Sequence, residues 1–256
     1  SNGLLNGSNG LIMPGSYLTR AEMATVINRA FGATEMASIG DYADVAADAW
    51  YYAEMAKAVH MGTFLGTGNK LSPDSSITRQ EVFVVLARAL KLSGGDTAAL
   101  GRFTDRGSVD SWALGATCAL VEAGYINGSD GELKPLSFIT RADFAQVMDN
   151  LLKCYLNKEG TYTDVPAGNV MINSPKVTLK DVTVEGDLVV GDGVGDGDVT
   201  LDNVTVTGRT VIRGGGANSI RITGTSSLQN IIVARVDGIV RVYAEDGTEI
   251  GEVLVD

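Results

Sequence analysis

The sequence contains few of the residues on which hydrolytic and metal chemistry depends. Its 256 residues include two cysteines and a single histidine, His60. Two cysteines cannot complete a zinc site alone, and one histidine leaves a Cys–His or Ser–His–Asp nucleophile almost no candidates. No apolar run approaches the roughly 18 residues that a membrane span requires. These absences argue against most common hydrolases and against membrane insertion.

The charge balance excludes another class of partner. The chain carries 20 lysine and arginine residues against 31 aspartate and glutamate residues, a formal net charge of −11. Binding a nucleic-acid backbone requires clustered cations, so this balance argues against nucleic acid as a partner. Apolar residues make up 45% of the chain, which is enough to form a buried core.

The composition changes near residue 160 and divides the chain in two. The first part is rich in Ala, Leu and Met, whereas the second is rich in Val, Thr, Gly and Asp, which are typical of strands and turns. The segment from Asn157 to Gly160 is the natural boundary. The sequence therefore predicts a multidomain protein, with an all-α domain over residues 1–160 and an all-β domain over residues 161–256.

One pattern occurs three times in the first part with the same internal spacing. A glycine is followed eleven residues later by a proline, and a Thr-Arg pair stands five residues after each proline. The glycines are Gly3, Gly62 and Gly124, and the pairs are Thr19-Arg20, Thr78-Arg79 and Thr140-Arg141. Apolar residues at +4, +7, +8, +11 and +12 from each threonine form one face of a helix.

A second shared stretch precedes the second and third copies. Tyr42-Ala-Asp44 and Phe103-Thr-Asp105 each lead to a tryptophan, Trp50 or Trp112, which stands twelve residues before its glycine. The residues from each tryptophan onwards read as a helix that ends at a C-capping glycine. The first copy lacks this leading helix, so we expect the chain to begin inside a longer native protein. The predicted repeats cover about residues 1–33, 41–92 and 102–155.

A different repeat, with a period of 22 residues, occupies the C-terminal part. The stretch Val177–Val190 realigns with Val199–Ile212, and a looser copy runs from Ile220 to Val233. Apolar and polar residues alternate within each copy, which indicates strands. Glycine breaks at a fixed period of this length favour stacked coils. We therefore predict a short right-handed parallel β-helix of about four coils rather than a sandwich.

The Thr-Arg pairs allow two interpretations. A threonine followed three residues later by an acid, as in Thr19 and Glu22, has the spacing of a capping box, which the third copy with Asp143 fits less well. Capping leaves the arginine unexplained at the first helical position, where the helix dipole disfavours a cation. The cause is either an ion pair to a neighbouring repeat or an anionic ligand held jointly by the guanidinium and exposed helix N–H groups. The candidate partners for the ion pair are Asp44, Asp105 and Asp164.

The threefold Gly…Gly…Pro…Thr-Arg pattern, alternating with aromatic-x-Asp…Trp, resembles the S-layer homology (SLH) domain family. The motif reads Leu-Thr-Arg-Ala-Glu, Ile-Thr-Arg-Gln-Glu and Ile-Thr-Arg-Ala-Asp, and the resemblance covers about residues 1–155. It implies a pseudo-threefold bundle that anchors exported proteins non-covalently to bacterial secondary cell-wall polysaccharide. In many species the recognised group is a pyruvate ketal on an amino sugar, whose carboxylate suits an arginine at a helix N-terminus.

The resemblance, carried over by position, implies ligand-binding roles in all three repeats. The residues concerned are Arg20, Arg79 and Arg141, the adjacent Thr19, Thr78 and Thr140, and the tryptophans Trp50 and Trp112. Gln80 and Asp143 depart from the usual Ala and Glu of the motif. Each tryptophan can stack on a sugar ring or complete the core, and burial is the commoner case for an aromatic side chain.

Two further features are weaker candidates. Asp192, Asp196 and Asp198 stand among glycines and offer oxygen ligands to a structural Ca²⁺, but their spacing matches no complete calcium motif, so we favour an acidic loop between coils. We expect no other cofactor. Cys118 and Cys154 are expected on the two helices of one repeat, where they form either buried thiols, which we favour, or a disulfide.

The sequence thus predicts a non-enzymatic protein of the bacterial cell surface. Its helical repeats anchor it to wall polysaccharide, and its β domain is a spacer or part of a surface layer that contacts other copies of the chain. We expect the signal peptide and the first helix of repeat one to be missing from this sequence. The alternative is a surface-anchored β-helix enzyme acting on polysaccharide, with acidic residues beside Arg209 or Arg213 as a lyase site.

Overall fold

The computed structural model describes residues 3–7 and 11–256. The chain divides into a helical unit, residues 1–29 and 35–151, and a β unit, residues 30–34 and 152–256. This order of an α-helical region followed by a β-solenoid is the predicted fold class. Among the described residues, no helix combines the length and the apolar character needed to cross a membrane.

The helices of the repeats lie where the two sequence patterns place them. They are α1 (Arg20–Phe31), α2 (Tyr52–His60), α3 (Arg79–Ala89), α4 (Ser111–Glu122) and α5 (Arg141–Leu151). The short 3₁₀ helices Thr97–Arg102 and Arg106–Ser108 precede α4. The Thr-Arg motif opens α1, α3 and α5, and their predicted apolar faces are buried. Helices α2 and α4 are the leading helices of the second and third repeats.

Capping boxes begin the first two motif helices. In α3, the hydroxyl of Thr78 accepts a bond from the Glu81 backbone N–H, while the Glu81 carboxylate accepts one from the Thr78 backbone N–H. Thr19 and Glu22 exchange the same two bonds at α1. In α5 the shorter Asp143 carboxylate instead accepts from the Thr140 hydroxyl, at 2.8 Å. The capping interpretation therefore holds for the threonines and the acids.

The glycines at fixed positions of the repeat have two structural roles: one ends a helix and the other allows an aromatic ring to approach the loop closely. Gly62 and Gly124 follow α2 and α4 with φ of +71° and +75°, a left-handed conformation that ends a helix at low cost only with glycine. The second glycine of each loop permits a close approach. A Cβ on Gly66 would lie 2.5 Å from the Tyr42 ring, and one on Gly128 would lie 2.6 Å from the Phe103 ring.

The aspartate of each aromatic-x-Asp stretch holds the loop that leads to the motif. The two carboxylate oxygens of Asp44 accept bonds from the backbone N–H groups of Leu71 and Ser72, at 2.9 and 2.7 Å. Asp105 binds the equivalent N–H groups of Leu133 and Lys134 at the same two distances. These aspartates therefore serve the loop backbone and are not the partners of the motif arginines.

The β unit is built from short strands. They are β1 (Cys154–Leu156), β2 (Gly160–Tyr162), β3 (Val170–Ile172), β4 (Val177–Lys180), β5 (Thr183–Val184), β6 (Leu188–Val190), β7 (Val199–Asp202), β8 (Thr205–Ile212), β9 (Ile220–Thr223), β10 (Ser227–Val233), β11 (Val242–Ala244) and β12 (Glu249–Val255). One sheet has the order β1-β3-β6-β8-β10-β12, with β5 also beside β8, and the other has the order β2-β4-β7-β9-β11. The predicted domain boundary after residue 160 falls inside β2.

Every strand pairing is parallel, as a solenoid requires. Val177 pairs with Val199 and Thr205 pairs with Ser227, which are steps of one 22-residue period. The first coils are shorter, because Cys154 pairs with Val170 and Val170 with Leu188. The coil that ends at β12 returns to the full period, since Ser227 pairs with Glu249. The parallel β-solenoid is confirmed, and its right-handed sense stays a prediction.

The inward positions of successive coils form one apolar stack. The buried set includes Val177, Leu179, Val199, Leu201, Ile220 and Ile222 from one sheet and Val184, Leu188, Val206, Ile212 and Leu228 from the other. Each side chain lies above its counterpart in the next coil, so the alternation in sequence becomes a continuous core.

The first prediction tests this core. Replacing Leu201, which is fully buried in β7, with alanine removes three carbon atoms from the stack, and we expect a loss of about 2–5 kcal/mol in the free energy of unfolding. The side chain of Thr200, on the same strand, lies on the outer face of the solenoid. Thr200→Ala is therefore the control, and we expect it to change the free energy of unfolding by no more than about 0.5 kcal/mol. Chemical denaturation followed by circular dichroism measures both, and equal losses would contradict the assigned register.

Candidate functional site

The first two N–H groups of each motif helix bind the neighbouring repeat. The backbone N–H of Arg20 donates to Ser75 and that of Ala21 to Pro73, at 2.9 and 3.0 Å. Equivalent bonds run from Arg79 and Gln80 to Ser137 and Pro135, and from Arg141 and Ala142 to Ser16 and Pro14. With the third N–H bound by the threonine cap, these helix ends have no exposed N–H group to offer a ligand. Of the two interpretations left open by the sequence, the one in which helix N–H groups and the guanidinium hold an anion jointly is therefore contradicted.

The motif arginines point across the same boundaries. The Nε of Arg20 donates to Leu71 (2.8 Å), that of Arg79 to Leu133 (2.7 Å), and that of Arg141 to Ile12 (2.9 Å). Each guanidinium also faces the capping acid of the next repeat. The pairs are Arg20–Glu81 at 2.6 Å, Arg79–Asp143 at 3.9 Å and Arg141–Glu22 at 3.5 Å. The carboxylate of the neighbouring helix thus offsets the unfavourable helix dipole, and the ion-pair interpretation holds with these partners.

An open cavity of about 470 Å³ lies beside Arg20, and we name it the Arg20 cavity. Its lining residues are Arg20, Phe64, Leu65, Gly66, Thr67, Glu81, Val84, Val85, Arg88 and Trp112. All three repeats contribute to it: α1 supplies the motif arginine, the second repeat supplies the loop and α3, and the third supplies Trp112. The motif arginine therefore keeps a solvent-facing side in addition to its ion pair.

The Arg20 cavity holds two guanidinium groups and one carboxylate. Arg88 lies on α3, and its one hydrogen bond to the described residues is a long one, from its Nη1 to the Thr63 carbonyl at 3.4 Å. Burial lowers the pKa of Arg88, and the positive charge of Arg20 lowers it further. With Glu81 as the single carboxylate, the formal charge of the lining is positive. An anionic group placed between Arg20 and Arg88 would relieve their repulsion.

Aromatic groups form the apolar wall of the same cavity. The Arg20 guanidinium lies 5.4 Å from the centre of the Phe64 ring. Trp112, in the first turn of α4, is 55% exposed, so the expectation of a core tryptophan is wrong here. Trp50 is 63% exposed, packs edge-on against Tyr51, and lies outside the two cavities described here.

A second cavity, of about 360 Å³, occupies the equivalent place beside Arg79, and we name it the Arg79 cavity. Its lining residues are Arg79, Tyr125, Ile126, Asn127, Gly128, Ser129, Glu132, Lys134, Ser137, Phe138, Asp143, Gln146, Val147 and Asn150. Arg79 makes an ion pair with Asp143, and Lys134 makes one with Glu132 at 3.6 Å. The position of Arg88 is taken by Asn150, and this lining contains no tryptophan.

The third motif arginine is enclosed. Arg141 is 5% exposed and donates to the carbonyl oxygens of Ile12 and Asn6, in addition to its pairing with Glu22. Residues 8–10 of the first repeat lie outside the described residues. The motif threonines line neither cavity, since their hydroxyl groups cap the helices.

The acidic loop of the β unit is engaged with arginines. Asp192 accepts a bond from the Nε of Arg213 at 2.8 Å, and Asp196 accepts one from Arg235 at 2.6 Å. In the described part of the chain, no three Asp, Glu, His or Cys residues group as a metal site. Calcium binding at Asp192, Asp196 and Asp198 stays an untested weaker alternative to the favoured acidic loop.

The two cysteines belong to different units of the chain. Cys118 is buried in α4, whereas Cys154 belongs to β1 of the solenoid and not to a repeat helix, which corrects its predicted place. Neither forms a disulfide. Burial raises the pKa of both thiols, and nearby carboxylates raise the pKa of each further.

Comparison with known proteins agrees with the repeat pattern. A family model for the S-layer homology domain matches residues 41–83 and 102–145. The chain is 34% identical over 192 residues to the surface-layer 125 kDa protein of Lysinibacillus sphaericus, covering 72% of this chain and 16% of that protein. It is 30% identical over 153 residues to the S-layer protein sap of Bacillus anthracis, which covers 56% of this chain and 18% of that protein. It is 28% identical over 144 residues to the exoglucanase XynX of Acetivibrio thermocellus, which covers 55% of this chain and 13% of that protein.

These matches identify the second and third repeats as S-layer homology domains, and the surface-layer relatives agree with that assignment. The chain spans less than a fifth of the length of each of these relatives. Arg88, Asn150 and Phe138 are cavity residues that the sequence analysis missed. The one available signal was position, because Arg88 and Asn150 each stand nine residues after a motif arginine.

The second prediction tests the loop that shapes the Arg20 cavity. Asp44→Asn keeps the side-chain volume but replaces one accepting oxygen with an NH₂ group, so one backbone N–H of Leu71 or Ser72 loses its partner. We expect a loss of about 1–3 kcal/mol in the free energy of unfolding. Asp48→Asn, at an exposed position nearby, is the control. Denaturant titration gives both values, and a neutral Asp44 variant would contradict this role.

Proposed function

We propose that the helical unit anchors a bacterial surface protein non-covalently to anionic cell-wall polysaccharide. In this proposal the Arg20 cavity takes a sugar residue that carries a carboxylate, such as a pyruvate ketal on an amino sugar. The observation that carries the proposal is that Arg20 and Arg88 line one cavity open to solvent, whose single carboxylate, Glu81, is paired with Arg20. The surface-layer names of two relatives support the cell surface as the location.

The walls of the Arg20 cavity suit a carbohydrate, in addition to the charge of the cavity. An exposed indole face, here that of Trp112, packs well against the C–H face of a pyranose ring, and Phe64 backs the guanidinium of Arg20. The two arginines would then bind the carboxylate with charge-assisted hydrogen bonds, which are stronger than neutral ones. Thr67, on the loop side, adds a hydroxyl group for sugar oxygens.

We propose that the β unit is a rigid spacer or part of a surface-layer scaffold and has no catalytic role. Arg209 and Arg213, which the enzyme alternative would use, are bonded to Asp187 and Asp192 within the solenoid. Arg213 is almost fully buried. These pairs satisfy each other's charges, so they offer no open acid or base for a lyase reaction.

A second candidate function rests on the exoglucanase relative. The repeats would there anchor a longer polysaccharide-degrading enzyme, whose catalytic part lies outside this sequence. Anchoring by the Arg20 cavity is common to both candidates. Assaying the chain for release of reducing or unsaturated ends from xylan and pectin tests the other enzyme alternative, in which the β unit itself is catalytic, and turnover would contradict the structural role.

The third prediction tests the anion site. Arg88→Gln removes one of the two cations but no strong bond within the protein, and we expect affinity for pyruvylated wall polymer to fall about tenfold or more. Arg106→Gln, an exposed arginine that lines neither cavity, is the matched control and leaves affinity unchanged. Isothermal titration calorimetry measures both, with circular dichroism to verify folding.

The outcome that overturns the proposal is equal affinity of the Arg88→Gln variant and the parent chain. Polymer from which the ketal has been removed by mild acid provides an independent arm. If the carboxylate is the recognised group, the parent chain binds this polymer as weakly as the variant binds the intact one.

The fourth prediction concerns the aromatic wall. Trp112→Ala removes an exposed ring, so we expect little change in stability but about a threefold to tenfold loss of affinity for the same polymer. Trp50→Ala provides the matched control, because Trp50 is equally exposed but lines neither described cavity. Equal losses for the two variants would show that the effect does not come from the Arg20 cavity.

A further inference from the structure

The two open cavities have the same architecture but different chemistry. Three equivalent positions of the second and third repeats differ between the cavities. The Arg20 cavity has Val84, Arg88 and Leu65 where the Arg79 cavity has Gln146, Asn150 and Asn127. Each replacement introduces an uncharged amide in place of an apolar or cationic side chain. The cavities are therefore not two copies of one site.

The charges of the Arg79 cavity balance within the protein. Arg79 faces Asp143 and Lys134 faces Glu132, so two cations are matched by two carboxylates. Burial lowers the pKa of Arg79, while Asp143 and Asp105 act in the opposite direction and stabilise its charge. An anion entering this cavity would meet both carboxylates and would gain no excess positive charge. An uncharged ligand encounters no such opposition.

The amide groups of the Arg79 cavity retain hydrogen-bonding capacity. The Nε2 of Gln146 donates to the Oδ1 of Asn150 at 3.1 Å, which leaves the Gln146 oxygen and the Asn150 NH₂ without partners among the described residues. Gln146 is exposed and Asn150 is half-exposed. A carboxamide that can both donate and accept suits the hydroxyl and acetamido groups of a sugar.

An aromatic side chain borders the Arg79 cavity, and the equivalent position of the repeat that forms the Arg20 cavity holds a residue that is not aromatic. Phe138 is 47% exposed, and its ring is held by Tyr17 with 5.6 Å between ring centres. The equivalent residue of the second repeat is Ser76. Phe138 thus provides the apolar face for a sugar ring that Trp112 provides beside Arg20.

We propose that the Arg79 cavity is a second glycan subsite, specific for an uncharged N-acetylated hexosamine residue. This inference rests on the proposed function, since it assigns two different residues of the wall glycan to the two cavities. The Arg20 cavity binds the carboxylate-bearing residue and the Arg79 cavity binds a neutral one. A polymer that carries both kinds of residue then contacts two chemically different sites on one chain.

The experiment compares two probes on the full chain by amide chemical-shift mapping. One probe is N,N′-diacetylchitobiose, which is uncharged, and the other is N-acetylmuramic acid, a related sugar that carries a carboxylate. We expect the uncharged probe to shift the amides of Asn127, Ser129 and Asn150, and the carboxylate probe to shift those around Arg20 and Arg88. Phe138→Ala and Asn150→Ala each weaken binding of the uncharged probe at least fivefold, whereas Arg88→Gln leaves it unchanged.

A gain-of-charge variant makes the test independent of losses in stability. Asn150→Arg gives α5 the residue that α3 carries at the equivalent position, Arg88, and circular dichroism verifies that the variant folds. We expect it to raise the affinity of the Arg79 cavity for N-acetylmuramic acid at least fivefold and to lower that for the uncharged probe.

Two results overturn the inference: no binding of the uncharged probe at the Arg79 cavity, or binding of the carboxylate probe there as strong as at the Arg20 cavity. Both leave the proposed function intact if Arg88→Gln still weakens binding of the wall polymer. Conversely, an unchanged polymer affinity in Arg88→Gln overturns the proposed function even where the uncharged probe binds beside Arg79.

Discussion

The helical unit depends on hydrogen bonds that each motif helix can make only with the next repeat. The first two N–H groups of α1, α3 and α5 donate to carbonyl oxygens of a neighbouring proline loop, and the motif arginine crosses the same boundary. The capping acid serves two repeats at once, because it closes its own helix and faces the arginine of the previous one. In this chain the Thr-Arg motif is thus first a joint between repeats.

This joint explains why the motif alone does not define the ligand. Every repeat places an arginine against a carboxylate, so the shared residues give each boundary a similar charge. The excess charge comes from a position nine residues later, which is Arg88 beside one cavity and Asn150 beside the other. Under the proposed function, specificity would therefore come from residues outside the repeated pattern.

Features that depend on local spacing could be predicted from the sequence, whereas those that depend on partners distant in the chain could not. The caps, the terminal glycines and the apolar faces follow from fixed intervals and agree with the structure. The partners of Arg20 and Asp44 lie 61 and 27 residues away, and spacing does not reveal them. The first two solenoid coils escaped notice because their steps are shorter than the 22-residue period. Trp112 was expected in the core because aromatic side chains usually are buried, yet its helix turns it towards solvent.

The two units differ in how their repeats end. The third repeat bonds back to the first through Arg141 and Ile12 and through the bridge between Tyr17 and Thr140, so the described repeats form a ring in which each has two neighbours. A solenoid coil is an open stack, with outermost strands that pair on one side only. Loss of one joint in the ring leaves two others holding every repeat, whereas an open stack frays from its ends inward. Mechanical load on a protein of this design would therefore be borne more evenly by the ring than by the coils.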